Sequence, residues 1–285
     1  VSSRRGLYRP GPPLAPAGCM ISDSSLDAYA PPEVARRVQE VGVAKARRDA
    51  LSTLVLAVLA GAFISLGALF ASVVSTGSEL GFGPTRLLTG ASFSLGLLLV
   101  VVAGAELFTG NNLLAMAWAS KLVTFRQVLR NWGLVYLGNA AGALGTVGLA
   151  WFGGVHGLSK GAVGQTLLTV GVTKTGLDPV QMLALGVLCN ALVCLAVWLA
   201  MAGRTVVDKI VAIVPPVAAF VAMGFEHSIA NLFFLPYAHL LDPHRVPLTA
   251  VLENIGLVTF GNLGGGTLLV AGVYWLAYLR PRDSV

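Results

Sequence analysis

Six long stretches of this chain carry almost no charge, and they limit what it can fold into more than any other feature. They run Ala50 to Ser78, Leu87 to Ser120, Asn131 to Ser159, Pro179 to Gly203, Ile210 to Ala238 and Asn254 to Leu279; Glu106 interrupts the second, and Glu226 with His227 the fifth. An unpaired charge at the centre of a bilayer costs about 2.5 to 3.5 kcal/mol, and a spanning helix needs roughly 20 residues, so each stretch is long enough to cross. Only 11% of the 285 residues are charged, against about 25% in a soluble domain, which excludes most soluble enzymes. Strand-type alternation is absent, so we read six helices in one polytopic, all-α membrane domain.

Six spans put both termini on one side. Of the 19 basic residues, only Arg86, Lys160, Lys174 and Arg245 then fall on the opposite side. The positive-inside rule places both termini in the cytoplasm and Lys160 and Lys174 outside. The net charge of +6 is therefore a topology signal and implies no nucleic-acid partner. Residues 1–49 form a cytoplasmic segment, with Pro32 to Lys45 patterned as an amphipathic helix. Residues 50–280 form the membrane domain and 281–285 a cytoplasmic tail. Leu14 to Cys19 faintly resembles a lipoprotein cleavage site, but three arginines and no apolar core precede it, so a signal peptide is not expected and Met20 is a candidate start.

The two halves are duplicated. Gly104-Ala105-Glu106-Leu107-Phe108-Thr109-Gly110-Asn111 and Gly224-Phe225-Glu226-His227-Ser228-Ile229-Ala230-Asn231 share G-x-E-x-x-x-x-N at an offset of 120. Gly138-Asn139 and Gly261-Asn262 match at an offset of 123. With three spans per half the copies insert in opposite orientations, the inverted repeat of many transporters and channels. The second stretch, 34 residues, would be about 51 Å long as one helix, against a hydrocarbon core of about 30 Å. The second and fifth helices are therefore expected to be broken at the repeated motif. Non-helical backbone survives at membrane depth only where it is buried or lines a cavity, so the two breaks should flank one central path.

Within such a path an ionisable group is a functional candidate by default, and His227 is the leading one. Glu106 and Glu226 hold equivalent positions and are expected to support the breaks by accepting backbone N–H bonds, because a carboxylate facing the path would repel an anion. Asn139, Asn190 and Asn262 are expected to bond backbone or neighbouring helices. Cys189 and Cys194 lie five apart on one helix in a reducing setting, and neither a disulfide nor a metal role is expected; no cofactor is needed.

These residues resemble the formate/nitrite transporter family, pentameric anion channels with an aquaporin-like protomer. The resemblance rests on Pro32-Glu33-Val34, Gly42-Val43-Ala44-Lys45-Ala46, Phe93-Ser94-Leu95-Gly96-Leu97, Leu107-Phe108-Thr109-Gly110, Asn190 to Trp198, the Gly224 to Asn231 motif and Tyr274-Trp275. It implies a homopentamer in a bacterial inner membrane, carrying a small monovalent anion with or without protons. Formate leads, on the likeness of Pro32 to Ala46 and Leu107-Phe108-Thr109 to the formate channels; nitrite and hydrosulfide are the alternatives. It further implies that His227 is the pore-centre imidazole with Thr109 as its hydroxyl partner. Phe93 and Phe220 would then form an outer constriction and Leu97 and Leu107 an inner one, with Phe108 and Val193 contributing. Lys45 and Lys174 would attract anions at the two mouths, and Asn190 would lie near the pore wall. The rival from another class is an intramembrane enzyme using His227 with Ser228 or Thr109, but neither a Gly-x-Ser-x-Gly nor a zinc motif is present.

Overall fold

A computed structural model describes residues 27–281. The proline-rich Arg4 to Ala17 stretch, the Leu14 to Cys19 site, Met20 and the tail beyond residue 281 lie outside the described residues. Among the described residues there is no strand.

Helix α1 (Pro31–Arg47) begins with proline, whose missing N–H costs nothing in a first turn, and buries Val34, Ala35, Val38, Gly42 and Ala46 along one face. A short kink leads into α2 (Ala50–Ser75), which starts where the Asp49 carboxylate accepts the amide of Ser52. Next come α3 (Phe82–Val102), a 3-10 turn over Gly110–Leu114, and the short α4 (Ala115–Ala119). Helix α5 (Phe125–Phe152) opens on a Thr124/Gln127 capping box. After α6 (Ala162–Thr175), Asp178 and Gln181 cap α7 (Pro179–Ala202) in the same way. Two shorter apolar helices follow, α8 (Val206–Ala222) and α9 (Ser228–Leu241). The last rod is α10 (Leu248–Gly264), which continues through a π-helical stretch at Gly265–Gly272 into α11 (Val273–Tyr278). Five of these rods are long and apolar enough to cross a membrane: α2, α3, α5, α7 and the continuous Leu248–Tyr278.

Packing groups the rods in two matching sets. Helix α2 lies between α3 and α5, α7 lies between α8 and α10, and α3 packs along α8 to join the sets. The tightest crossings run backbone to backbone. A Cβ on Gly142 would sit 1.9 Å from the Val58 carbonyl oxygen, and one on Gly261 would sit 2.4 Å from that of Leu183. Glycine is required at both, because van der Waals contact between helices is the main adhesive where solvent is as apolar as the side chains.

Helical backbone stops at Val102 and resumes at Gly110; it stops again at Ala222 and resumes at Ser228. Two residues past each stop the chain turns through a left-handed glycine, Gly104 at φ 84° and Gly224 at φ 76°. Only glycine adopts that conformation without a Cβ penalty, which is why the repeated motif begins with it.

Candidate functional site

An interrupted helix leaves amide N–H and carbonyl groups without their intrahelical partners, and burying them unpaired costs about 1 to 3 kcal/mol each. Two asparagines answer this. The Asn139 side chain accepts the Phe108 amide at 2.9 Å and donates to the carbonyls of Ala57 and Glu106. Asn262 does the same in the other half, accepting from Ser228 at 2.9 Å and donating to Gly186 and Glu226. Each therefore fastens a non-helical segment to an intact neighbouring helix.

The carboxylates of the repeated motif do something other than the sequence suggests. Glu106 and Glu226 take no freed backbone amides; side chains occupy their oxygens. Glu106 accepts from Asn111 at 2.6 Å and pairs with Lys45 at 3.3 Å and with Arg48. Glu226 accepts from Asn231 at 2.7 Å and pairs with Lys174 at 2.8 Å. Asn111 continues to Asn131, which donates to the Lys45 carbonyl, and Asn231 continues to Asn254, which donates to the Lys174 carbonyl. The correction has a plain cause: a buried carboxylate is best satisfied by a cation, and α1 and α6 each deliver a lysine to it. Lys45 and Lys174 are accordingly not free, exposed attraction charges, since their side chains are only 23% and 16% accessible and are ion-paired. Burial pushes the Lys45 amine below the ordinary lysine pKa, opposed by Glu106.

Between the two breaks, His227 Nε2 lies 3.0 Å from Thr109 Oγ1. His227 is 3% exposed and Thr109 0%. The imidazole also caps α9, its Nδ1 accepting the Ala230 amide at 3.1 Å. That bond decides the tautomer: a nitrogen that accepts an N–H carries a lone pair, so in the neutral ring the proton is on Nε2 and is donated to Thr109. The Thr109 hydroxyl then has its own proton to offer. Cys194 Sγ donates to the Thr109 carbonyl at 3.4 Å, holding the residue in place.

Apolar side chains close in on this pair. Phe93 and Phe220 meet edge to face at 5.7 Å, and Phe220 stacks 6.0 Å from the His227 ring. Two cavities approach from opposite ends. One, of about 240 Å³, is lined by Lys45, Arg48, Glu106, Leu97 and Leu107 among others. The second, of about 300 Å³, is lined by Arg86, Lys174, Glu226, Phe93, Phe220 and His227 among others. Phe93 and Leu97 are one turn apart on α3, so the cavity ends are separated by about 6 Å along that helix.

Phe108 and Val193 line neither cavity: the Phe108 ring turns to Tyr136 at 5.0 Å, and Val193 is buried in the apolar core. Asn190 also stands back from both cavities, donating to the Asn262 carbonyl at 2.6 Å. Sequence reasoning missed Arg48 and Arg86, which both line cavities, and the linking roles of Asn111 and Asn231. The asparagines were detectable, because each stands five residues after its glutamate in both copies of the motif. Cys189 and Cys194 are free and buried, and among the described residues no cluster of three metal-ligating side chains exists.

A sequence model described as formate/nitrite transporter matches residues 32–276. The formate channel FocA of Escherichia coli (strain K12) is 39% identical over 283 residues, covering 93% of this chain and 99% of that protein. FocA of Haemophilus influenzae is 34% identical over 266 residues, covering 87% and 93%. A solved pentameric formate channel with formate bound aligns with a TM-score of 0.75 at 36% identity, covering 81% of this chain and 98% of that one. An FNT family ion channel aligns at 0.78 with 28% identity, covering 86% and 98%.

Proposed function

Because this chain belongs to the formate/nitrite transporter family, we propose that it forms a homopentameric membrane channel for small monovalent anions, with formate as its substrate. The observation that carries this reading is the pair of cavities ending on either side of one polar contact, Thr109 with His227. Each protomer would cross six times in two inverted three-helix repeats. Helix α3 with the segment through α4 would make the second crossing, and α8 with α9 the fifth, both broken at the repeated motif. Residues 1–49 would lie on the cytoplasmic face ahead of the six-helix channel domain.

An anion entering the narrow, apolar section must surrender water, which is expensive unless donors replace it. The Nε2–H of His227 polarises the Thr109 hydroxyl, and that hydroxyl donates to the passing anion. Phe93 with Phe220, and Leu97 with Leu107, keep water out on either side. Basic side chains in the two vestibules raise local anion concentration. Nitrite and hydrosulfide are small enough to use the same path and are the competing substrates.

The His227 and Thr109 pair is a poor nucleophile and base. To take the Thr109 proton, Nε2 would need a lone pair, but the Ala230 amide holds the lone pair on Nδ1. The relatives are likewise channels and transporters.

Purified protein in liposomes should take up formate faster than nitrite, hydrosulfide or water; no formate uptake by folded protein would overturn the reading. Topology is open to a separate test. A cysteine introduced at exposed Lys160 should be labelled from outside intact cells, and one at Val206 should not. External labelling at Val206 would sink the proposed orientation.

A further inference from the structure

The two vestibules carry the same charge from unlike parts. In the first, Lys45 and Arg48 both pair with Glu106. In the second, Lys174 is matched one to one by Glu226, and Arg86 is left over. Among the described residues Arg86 makes no ion pair; its Nε donates to the Ala222 carbonyl at 2.9 Å and its Nη2 to Val221 at 2.7 Å. These are the last two carbonyls of α8, immediately after Phe220, where the helix stops. A guanidinium has five N–H donors, so three remain for a ligand, and Arg86 lines the second cavity together with Phe93, Phe220 and His227. Gly224 is shaped to this side chain as well: a Cβ there would stand 3.3 Å from Arg86 Nη2.

We propose that Arg86 is the anion receptor of the outer vestibule, taking a small carboxylate such as formate on its free N–H edge. Lys174, neutralised by Glu226, serves as a structural strut. The inference rests on the anion-channel reading above. Carbonyl bonds leave the charge of Arg86 undiminished, whereas the carboxylate cancels that of Lys174 at any distance beyond the pair itself. A planar fork also fits a carboxylate better than a point ammonium does. Because the same side chain caps α8, it fixes where Phe220 stands beside the site.

The test is initial formate uptake into liposomes across a salt series, with pentamer elution and thermal stability recorded for each variant. Arg86→Gln should lower uptake about tenfold at low salt and flatten the salt dependence, as removal of a focusing charge requires. Arg86→Lys should keep the salt dependence with weaker uptake. The double variant Lys174→Gln with Glu226→Gln should retain the salt dependence whatever its absolute rate, since the net vestibule charge is unchanged. Wild-type salt dependence in folded Arg86→Gln, or its loss in the double variant, would overturn the assignment; the second arm decides even where the first variant fails to assemble. Absence of uptake by the unmodified protein would strike the channel reading instead.

Discussion

His227→Asn is expected to assemble and melt like the unmodified protein and yet to pass formate ten- to a hundredfold more slowly. The two nitrogens of this ring have separate duties. Nδ1 is three bonds from Cα and accepts the Ala230 amide, capping α9; Nε2 is four bonds away and donates to Thr109. Asparagine puts Oδ1 at the Nδ1 distance and is among the best N-caps, so the cap survives while the donor to Thr109 is lost. Glutamine does the reverse. It puts an N–H at the Nε2 distance and abandons the cap, so His227→Gln should lose about 1 kcal/mol of stability and keep most of its flux. Without the Nε2–H to hold it, the Thr109 hydroxyl no longer presents its proton to the anion, and a hydrogen bond to a charged partner contributes about 1.5 to 3 kcal/mol, which is the source of the ten- to hundredfold range. Thr109→Val removes the hydroxyl that faces the anion and should match His227→Asn in flux. A histidine that merely supports the fold would give the opposite order: stability lost in both His227 variants and flux lost only in proportion. Wild-type flux in a well-folded His227→Asn protein would remove the residue from the pore centre.

The helical fold was legible because the bilayer leaves few options. A charge-free run of the right length has to be a helix, and the glycines at 104 and 224 mark places where it has to turn. The tie between the halves was legible in the repeated motif, which also shows where the symmetry lapses: the residue after each glutamate is Leu107 in one copy and His227 in the other. Partner choice was harder to read. Nothing in the sequence near Glu106 or Glu226 says that Lys45 and Lys174, 61 and 52 positions upstream, reach back to them. Positive charge was read as exposed because lysine is usually solvated, and a buried carboxylate outweighs that habit. Arg86 was read only as a topology marker, since its carbonyl partners on α8 are 135 and 136 residues away. Phe108 illustrates a different limit. Its neighbour Leu107 lines a cavity, but the chain is already turning into the next helix at Thr109, and Phe108 is carried round to Tyr136.

Asn262→Ala should prevent stable assembly. Three buried backbone groups depend on that side chain: the Ser228 amide, and the carbonyls of Gly186 and Glu226. Leaving each unpaired costs about 1 to 3 kcal/mol, so the sum is about 3 to 9 kcal/mol, comparable to the 5 to 15 kcal/mol that holds a typical domain together. Water cannot stand in for the lost side chain in a fully buried, tightly packed crossing. Asn262→Asp, though the same size, should be no better. It can still accept from Ser228, but it loses both donors and sets a carboxylate against two carbonyl oxygens. Asn139→Ala should repeat the result, because Asn139 holds Phe108, Ala57 and Glu106 in the same way. The measurement is oligomer retention on gel filtration after a temperature series in detergent. Ser228 and Glu226 bracket His227, so any Asn262→Ala protein recovered at low temperature should also show the slow flux of His227→Asn. An Asn262→Ala protein with unaltered melting would mean that the breaks are held by something other than these two asparagines.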